Sequence, residues 1–434
     1  KRYPIKGMNI WKPYGWKLMQ NIDAIIREEM EKTNHKEVYF PLLIPESYFK
    51  KEAEHIKGFL EEVYWVTHAG KNELEEKLLL RPTSETALYS IFSLWIRSHT
   101  DLPLKTFQIV NTFRYETKHT RPLIRVREIE PFKEAHTAHR SYEEAEEQVN
   151  IAKRIYLNFF RKLCLPVICT KRPDWDKFPG AEYTVAFDTI FPNGRTLQIG
   201  TVHNLGENFA KTFGITYETE TGEQKYVNQT CYGISCRVVA AVIGVHGDDR
   251  GVVLPPEVAP VQVVIVPVFY KESKENIKSY AKKIFKKLRN SGIRVEIDDR
   301  DIRPGRKYYD WEIKGVPIRV EIGPSDVEKG QITIVPRDTL KRKRKGCKDL
   351  VQVIKEELSN MEKRLYERAI QYMNERIEYK DNFEEIKNTV EEGKVVKVGW
   401  CGKEECGKRI EEEAYPILGI TENKGMECIV CGKE

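Results

Sequence analysis

No run of about 18 apolar residues occurs in this 434-residue chain, so no segment reads as a membrane-spanning helix. Lys1 to Trp16 lacks the charged-then-apolar order of a signal peptide, and a cytoplasmic protein is the expectation. Charge of neither sign prevails. The 72 Lys and Arg stand against 66 Asp and Glu, a net of +6, which excludes a general polycation and leaves nucleic-acid contacts to local clusters. The P-loop string and the G-x-G-x-x-G fingerprint are both missing, so a nucleotide, if bound, is held otherwise than by a glycine-rich loop before a helix. There are no internal repeats and no low-complexity tract. The nine cysteines are an odd number, and Cys164, Cys169, Cys231, Cys236 and Cys347 lie at unrelated spacings, which argues against a disulfide framework.

What is present is the composition of a globular protein, 40% apolar and 10% aromatic, with Lys and Glu dominating the charged residues as in thermophiles. At about 150 residues per domain the length suits about three units. Ile22, Ile25, Ile26 and Met30 recur at helical spacing, and Val38, Phe40, Leu42 and Ile44 then alternate, so a helix feeds a strand containing Pro41. Proline cannot donate to a ladder, which puts that strand at an edge, at a bulge or against a second subunit. Strand patterns over 107–116, 124–130, 183–190 and 196–203 mix with helix patterns over 84–98, 142–163 and 237–245. Strands following strands predict an α+β unit, an antiparallel sheet with flanking helices, over 1–258. Leu254 to Pro260 is a stiff proline-rich connector. Beyond it the pattern runs strand 262–269, helix 273–290, strand 293–298, helix 306–314, strands 317–322 and 331–336, and a long helix from 348. That is a small α/β unit over 259–378, and 379–434, with the other four cysteines, reads as a third compact unit.

Within 107–116, Arg114 and Glu116 share a face with Gln108 and Thr112, while Phe107, Ile109, Phe113 and Tyr115 share the other. The loop that follows adds Lys118, His119, Arg121, Arg125 and Arg127, donors that suit a polyphosphate, although a solvated basic loop has the same composition. Gly233-Ile234-Ser235-Cys236-Arg237 leads into an apolar helix and sets an arginine at its start, where backbone N–H groups also favour anions. In Leu80-Arg81-Pro82-Thr83-Ser84-Glu85-Thr86 a Thr or Ser can cap the next helix with Glu85 in its first turn, and capping alone explains the segment. Cys401-x4-Cys406 and Cys428-x2-Cys431, separated by 21 residues, have the spacing of a four-thiolate zinc site, structural because no coordination position stays open.

Phe113-Arg114-Tyr115-Glu116, Arg125-Val126-Arg127-Glu128 and Gly233-Ile234-Ser235-Cys236-Arg237, with Pro41 in its strand, resemble in order and spacing the motifs of class II aminoacyl-tRNA synthetases. Within that class, Arg81-Pro82-Thr83-Ser84-Glu85, Phe132-Lys133-Glu134-Ala135-His136-Thr137, Gln198-Ile199-Gly200-Thr201-Val202-His203, Leu205-Gly206-Glu207-Asn208-Phe209 and His246-Gly247-Asp248 resemble the prolyl-tRNA synthetase family of archaeal and eukaryotic type. The resemblance implies a class II antiparallel-sheet catalytic domain over 1–258, an anticodon-binding domain over 259–378 and a zinc-binding C-terminal α/β domain over 379–434.

It also implies an activity: a homodimer activates L-proline with ATP to prolyl-adenylate and transfers prolyl to the 3′ end of tRNA(Pro). The alternatives are a sibling enzyme for threonine, serine, glycine or histidine, or an inactive tRNA-binding paralogue. The implied catalytic residues are Arg114 and Arg237. ATP falls to Arg114, Glu116, Arg125, Val126, Gln198, Thr201 and Arg237, with Mg2+ bridging phosphate oxygens. Proline falls to Thr83, Glu85, Arg114, Phe132, His136, His203 and Ser235; its secondary ammonium has two N–H donors, which Thr83 and Glu85 would accept. Arg303, Lys307 and Glu321 are implied for the anticodon, the run Lys341-Arg342-Lys343-Arg344-Lys345 for a solvated basic loop near tRNA phosphates, and Cys401, Cys406, Cys428 and Cys431 for Zn2+. Arg127-Glu128-Ile129 departs from the Arg-Glu-Phe of many members. About 70 residues separate Glu128 from Gln198, too few for the editing domain inserted in the bacterial type, which leaves discrimination against alanine or cysteine to the pocket or to another protein. The family ends in a tyrosine, so a few residues beyond Glu434 and before Lys1 are expected.

Overall fold

The structure is a computed structural model that describes residues 3–51, 61–269, 274–421 and 425–433. Helix Pro13–Glu31 has Pro at its start and buries Leu18, Ile22, Ile25, Ile26 and Met30, the three- and four-residue spacing that generates one apolar stripe. Helix Tyr142–Lys162 is capped by the Ser141 side chain, which accepts from the Glu144 N–H. Both helices pack on one face of a seven-stranded sheet, Tyr156, Phe159 and Phe160 meeting Phe187, Ile199, Val202 and Tyr232 in the principal core.

The sheet runs in the spatial order Lys36–Glu37, Leu104–Phe113, Glu128–His139, Asn228–Ser235, Thr196–Gly206, Tyr183–Ile190, Ile168–Lys171. All neighbours are antiparallel except the first pair. Strand alternation sends Lys133 and Ala135 to the helix side and Phe132, Glu134 and His136 to the other, where they line a cavity.

Local pattern misplaces four stretches. The strand over 107–116 ends at Phe113, because Arg114 N–H bonds to Arg127 O at 2.9 Å and closes a long hairpin loop, so Arg114 and Glu116 sit on the loop. The pattern over 124–130 is mostly the return of that loop; regular pairing begins at Glu128 and continues to His139. No strand spans 38–44. Lys36–Glu37 pairs with Leu104–Phe113, and Leu43–Pro45 joins a separate three-stranded sheet with Tyr64–Ala69 and Asn72–Leu80. Pro41 falls between them, and the carbonyls of Phe40 and Pro41 are taken by Arg81 Nη1 at 2.8 and 3.2 Å rather than by a strand. The basic run from Lys341 is in part a strand, Lys343–Gly346, closing the edge of the second sheet, where its charges oppose edge-to-edge pairing.

That second sheet has the order Val295–Ile297, Val263–Pro267, Ile318–Ile322, Gln331–Pro336, Lys343–Gly346, parallel through the first three and antiparallel thereafter. Helices Lys274–Asn290 and Leu350–Asn374 bury Ile277, Ile284, Leu288, Ile354 and Leu358 against it. The long helix also sets Met361 and Leu365 on Cys164 and Val253 of the first unit, and Arg337 holds Asp248 there at 2.6 and 2.7 Å. Last comes a parallel pair, Ile377–Tyr379 with Val395–Lys397, beside helices Phe383–Glu391 and Glu404–Glu413. It docks on the edge strand Ile168–Lys171, where Lys171 and Ile420 exchange backbone bonds of 3.0 and 2.7 Å.

Candidate active site

A cavity of about 430 Å³ lies on the sheet face opposite the two long helices. All the residues expected at ATP or proline line it: Thr83, Glu85, Arg114, Glu116, Arg125, Val126, Phe132, His136, Gln198, Thr201, His203, Ser235 and Arg237. They come from the hairpin loop, the start of helix Glu85–Trp95, three sheet strands and the start of helix Arg237–His246.

One end is cationic. Arg114 is held by its Nε on Pro82 O at 3.0 Å, and Arg237 by its Nε on Ile124 O at 2.9 Å. Burial lowers the pKa of both guanidiniums, and Arg114 and Arg125 press Arg237 further down, a mutual repulsion felt only because the three cations converge. Side chains with pKa values normally above about 12 stay charged under such pressure, so the site holds concentrated positive charge that an anion would relieve. Glu116 stands 3.6 Å from Arg125, and its backbone carbonyl takes two bonds of 3.2 Å from Arg127. Arg127 itself stacks 3.7 Å from the Tyr115 ring centroid, so it braces the loop.

The other end is acidic and aromatic. Thr83 Oγ1 donates to Glu85 and, at 3.0 Å, to Glu134 Oε1; Ser84 Oγ donates to the other Glu134 oxygen. Ser84 is the cap residue of helix Glu85–Trp95, yet its hydroxyl makes no capping bond. Capping therefore does not account for this segment: the Ser84 oxygen accepts from Gln108 Nε2 at 2.8 Å rather than from a helix N–H, and its proton goes to Glu134. The helix itself spans Glu85–Trp95 rather than 84–98. Burial raises the Glu134 pKa, and the nearby Glu85 raises it again. Burial also brings His136 down to about 4 and His203 down to about 3, so both rings are neutral near pH 7. His136 Nδ1 meets Tyr89 OH at 3.0 Å, and His203 Nδ1 meets Thr184 Oγ1 at 2.8 Å. Gly233 leaves room for the Phe132 ring, since a Cβ there would stand 3.0 Å from Phe132 Cζ.

Residue-by-residue reading missed Glu134, Phe178, Thr184 and Glu62, which also line the cavity. The signal for Glu134 was present: it sits midway between Phe132 and His136 in a strand, so a period of two puts it on their face. Nothing local marks the other three.

The four C-terminal cysteines come together, every Sγ within 4.8 Å of the others and Cys401 Sγ 3.7 Å from Cys431 Sγ. Tetrahedral bonds of about 2.3 Å to zinc separate sulfurs by about 3.8 Å, so the donor set fits that ion. The thiols share protons: burial raises Cys428 but backbone hydrogen bonds at Cys401, Cys431 and Val430 bring it down to about 6, while burial and hydrogen bonds to the other three cysteines push Cys406 up to about 12, so the metal-free cluster is only partly thiolate. Purified protein is expected to carry about one equivalent of zinc per chain by metal analysis; less than about half an equivalent after gentle handling would count against the site.

Of the three anticodon candidates, Arg303 is exposed just before helix Pro304–Ile313. The other two are engaged internally. Lys307 is buried with Nζ on Asp298 O at 2.9 Å, and buried Glu321 pairs with Arg319 at 3.0 Å and with Arg342.

The antiparallel sheet, the arginine-bearing hairpin and the arginine at a helix start define a class II aminoacyl-tRNA synthetase core. The family profile described as tRNA synthetase class II core domain (G, H, P, S and T) matches residues 64–246. An anticodon binding domain profile matches 262–357, and one for the prolyl-tRNA synthetase C-terminus matches 383–434. Over its whole length the chain is 56% identical to the proline–tRNA ligases of Thermococcus kodakarensis and Methanopyrus kandleri, spanning 92% and 90% of those proteins. It superposes over its whole length on 92% of Giardia lamblia prolyl-tRNA synthetase in complex with prolyl-adenylate, with TM-score 0.95 and 38% identity. The Cryptosporidium parvum enzyme complexed with halofuginone and AMPPNP gives TM-score 0.93 at 36% identity, with 100% and 92% of the two chains covered. The chain belongs to the prolyl-tRNA synthetase family.

Proposed function

We propose that the cavity activates L-proline with ATP and then charges the 3′ end of tRNA(Pro). The observation that carries this reading is the polarity of one continuous cavity, Arg125 and Arg237 at one end, a Thr83–Glu85–Glu134 acceptor cluster at the other and Arg114 between them. A triphosphate seeks the first, and a secondary ammonium the second.

In the first step the proline carboxylate oxygen attacks the α-phosphorus, forming the acyl phosphate bond as the bond to pyrophosphate breaks. Arg114, between the two ends, bridges the carboxylate and the α-phosphate and offsets the charge that accumulates in flight. Arg125 and Arg237 hold the remaining phosphates and the adenine, Glu116 orients Arg125 and the base, Val126 packs beside it, and Gln198 and Thr201 meet ribose and phosphate. Mg2+ carried by the ATP substrate would be faced by Gln198 and Thr201 and would offset phosphate charge. Thr83 and Glu85 accept the two ammonium N–H groups, while Phe132, His136, His203 and Ser235 enclose the ring; neutral imidazoles make a wall that does not repel a cation. In the second step a ribose hydroxyl of the tRNA attacks the adenylate carbonyl, and AMP leaves. Positioning and electrostatics suffice, and no covalent enzyme intermediate is needed.

Around this centre, Arg303 and the basic edge near Lys341 to Lys345 serve tRNA, as a base contact and as phosphate contacts respectively. The four-cysteine site holds zinc structurally. Domain limits follow 1–258, 259–378 and 379–434. Tyr39 and Leu43, on either side of Pro41, and Trp95 are exposed apolar side chains, and contact with a second copy of the chain would cover them. No helix among the described residues is long and apolar enough to cross a membrane, and the substrates place the work in the cytoplasm.

The test is ATP–pyrophosphate exchange across the amino acids. Strong exchange with proline, weaker exchange with cysteine and alanine and none with threonine is expected; threonine-dependent exchange without proline would favour the sibling enzyme. Alanine and cysteine are smaller than the proline ring and keep an ammonium for the acceptor cluster, and a pocket gains only about 1–3 kcal/mol per methylene against a smaller side chain, so their leakage is part of the expected pattern.

A further inference from the structure

We propose that the C-terminal cysteine module is a strut for the proline end of the cavity and that Trp175 transmits its position; this rests on the proline reading above. The segment joining strand Ile168–Lys171 to strand Tyr183–Ile190 is shared between two parts of the molecule. Its beginning is tied to the module: Arg172 donates to Leu418 O, and Thr170 Oγ1 donates to the same carbonyl at 3.1 Å. Trp175 then meets the Trp400 ring at 5.8 Å between centroids and donates Nε1 to Glu411 at 3.1 Å.

Its end is part of the cavity. Phe178, three residues beyond Trp175, packs its ring against His203 at 4.7 Å between centroids and a 36° tilt, and its N–H donates at 2.9 Å to the Thr184 hydroxyl that also holds His203 Nδ1. Between them the backbone has little freedom, with Pro173 and Pro179 flanking it and Asp176 N–H closing a turn on Pro173 O at 3.0 Å. A displaced Trp175 therefore moves Phe178, and Phe178 moves the His203 wall.

Both surfaces that seat Trp175 adjoin thiolate ligands. Trp400 precedes Cys401, and Gly407 follows Cys406. Gly407 is a glycine for a steric reason, since a Cβ there would lie 2.3 Å from Trp175 Cη2 and 2.8 Å from Trp400 Cζ2. Gathering the four cysteines about one ion thus also sets the seat of Trp175. The role is positioning, because Trp175 does not line the cavity.

The variant Gly407→Ala isolates the effect, because alanine normally favours a helix interior and the change leaves every cysteine in place. Its expected result is a KM for proline raised about tenfold in pyrophosphate exchange, with KM for ATP and zinc content unchanged. Trp175→Ala, outside the module, is expected to behave alike, and Trp175→Phe to recover much of the loss by keeping a ring in the seat. A KM for proline within about twofold of the unaltered protein in Trp175→Ala, or an equal rise in KM for ATP, would overturn the strut. Should Gly407→Ala lose zinc or fold poorly, the Trp175 pair decides alone. Absence of proline-dependent exchange in the unaltered protein would overturn the reading of function instead.

Discussion

Arg114→Ala is expected to lower kcat/KM for proline-dependent pyrophosphate exchange by about 10³-fold, with the fold retained by circular dichroism. Arg114 sits where the cationic and acidic ends meet, its pKa lowered by burial while Glu134, Glu85 and Glu62 pull it upward. Its Nε anchor on Pro82 O sets the direction of the guanidinium fork, so the charge is in place before the transition state forms and no reorganisation is required. A guanidinium presents parallel donors to two oxygen-bearing groups at once; an ammonium is a point charge on a flexible stem, so Arg114→Lys should recover little. The loss should appear in kcat more than in KM for ATP, because Arg125 and Arg237 still hold the nucleotide. An alanine variant within tenfold of the unaltered protein would remove Arg114 from the chemistry and, with it, the mechanism above.

Arg172→Ala should destabilise the chain by about 3–5 kcal/mol, the cost typical of leaving a buried charge without its partner. Arg172 is 6% exposed and Asp188 2%, and the guanidinium reaches both carboxylate oxygens at 2.8 and 3.1 Å. Even with this partner, burial holds the Asp188 pKa above the ordinary aspartate value. Removing Arg172 takes away the charge that pulls it down, so it rises further. A carboxyl whose folded-state pKa exceeds its unfolded one favours the fold only while protonated, and that contribution is lost as pH rises through the folded value. The deficit measured by denaturant unfolding should thus be larger at pH 8 than at pH 5. A loss below about 1 kcal/mol, or a deficit that grows on acidification, would show the pair to be dispensable. The same side chain ties Leu418 to the first unit, so part of the loss should show as earlier detachment of the C-terminal module, visible in limited proteolysis.

Much of the catalytic unit was legible from short strings. Pro82-Thr83-Ser84-Glu85, the Arg114 and Arg125 hairpin and Ser235-Cys236-Arg237 each carry their chemistry within a few residues, and each contributes side chains to one cavity. Helices Pro13–Glu31 and Tyr142–Lys162 and the alternation of the second unit were legible because a helical or pleated period reports directly which face meets a core. The cysteine pairs were legible because metal geometry constrains spacing.

Partners of polar groups were not legible. Nothing near Ser84 says that its hydroxyl serves Glu134, 50 positions away, instead of its own helix. Lys307 and Glu321 look like base readers until the fold closes Asp298 and Arg319 over them. The charged run at Lys343 becomes a strand only because Gln331–Pro336 offers it an edge.

Sequence alone determined the class of fold, the two arginines that line the cavity and the four cysteines that cluster, since periodicity, turn chemistry and residue spacing are local properties of the chain. Tertiary structure decided which hydroxyl bonds which carboxylate, where Phe178 lies over His203, and that the cysteine module leans on Trp175. Those contacts depend on the register of strands and the docking of units distant along the chain, and no window of neighbouring residues encodes either.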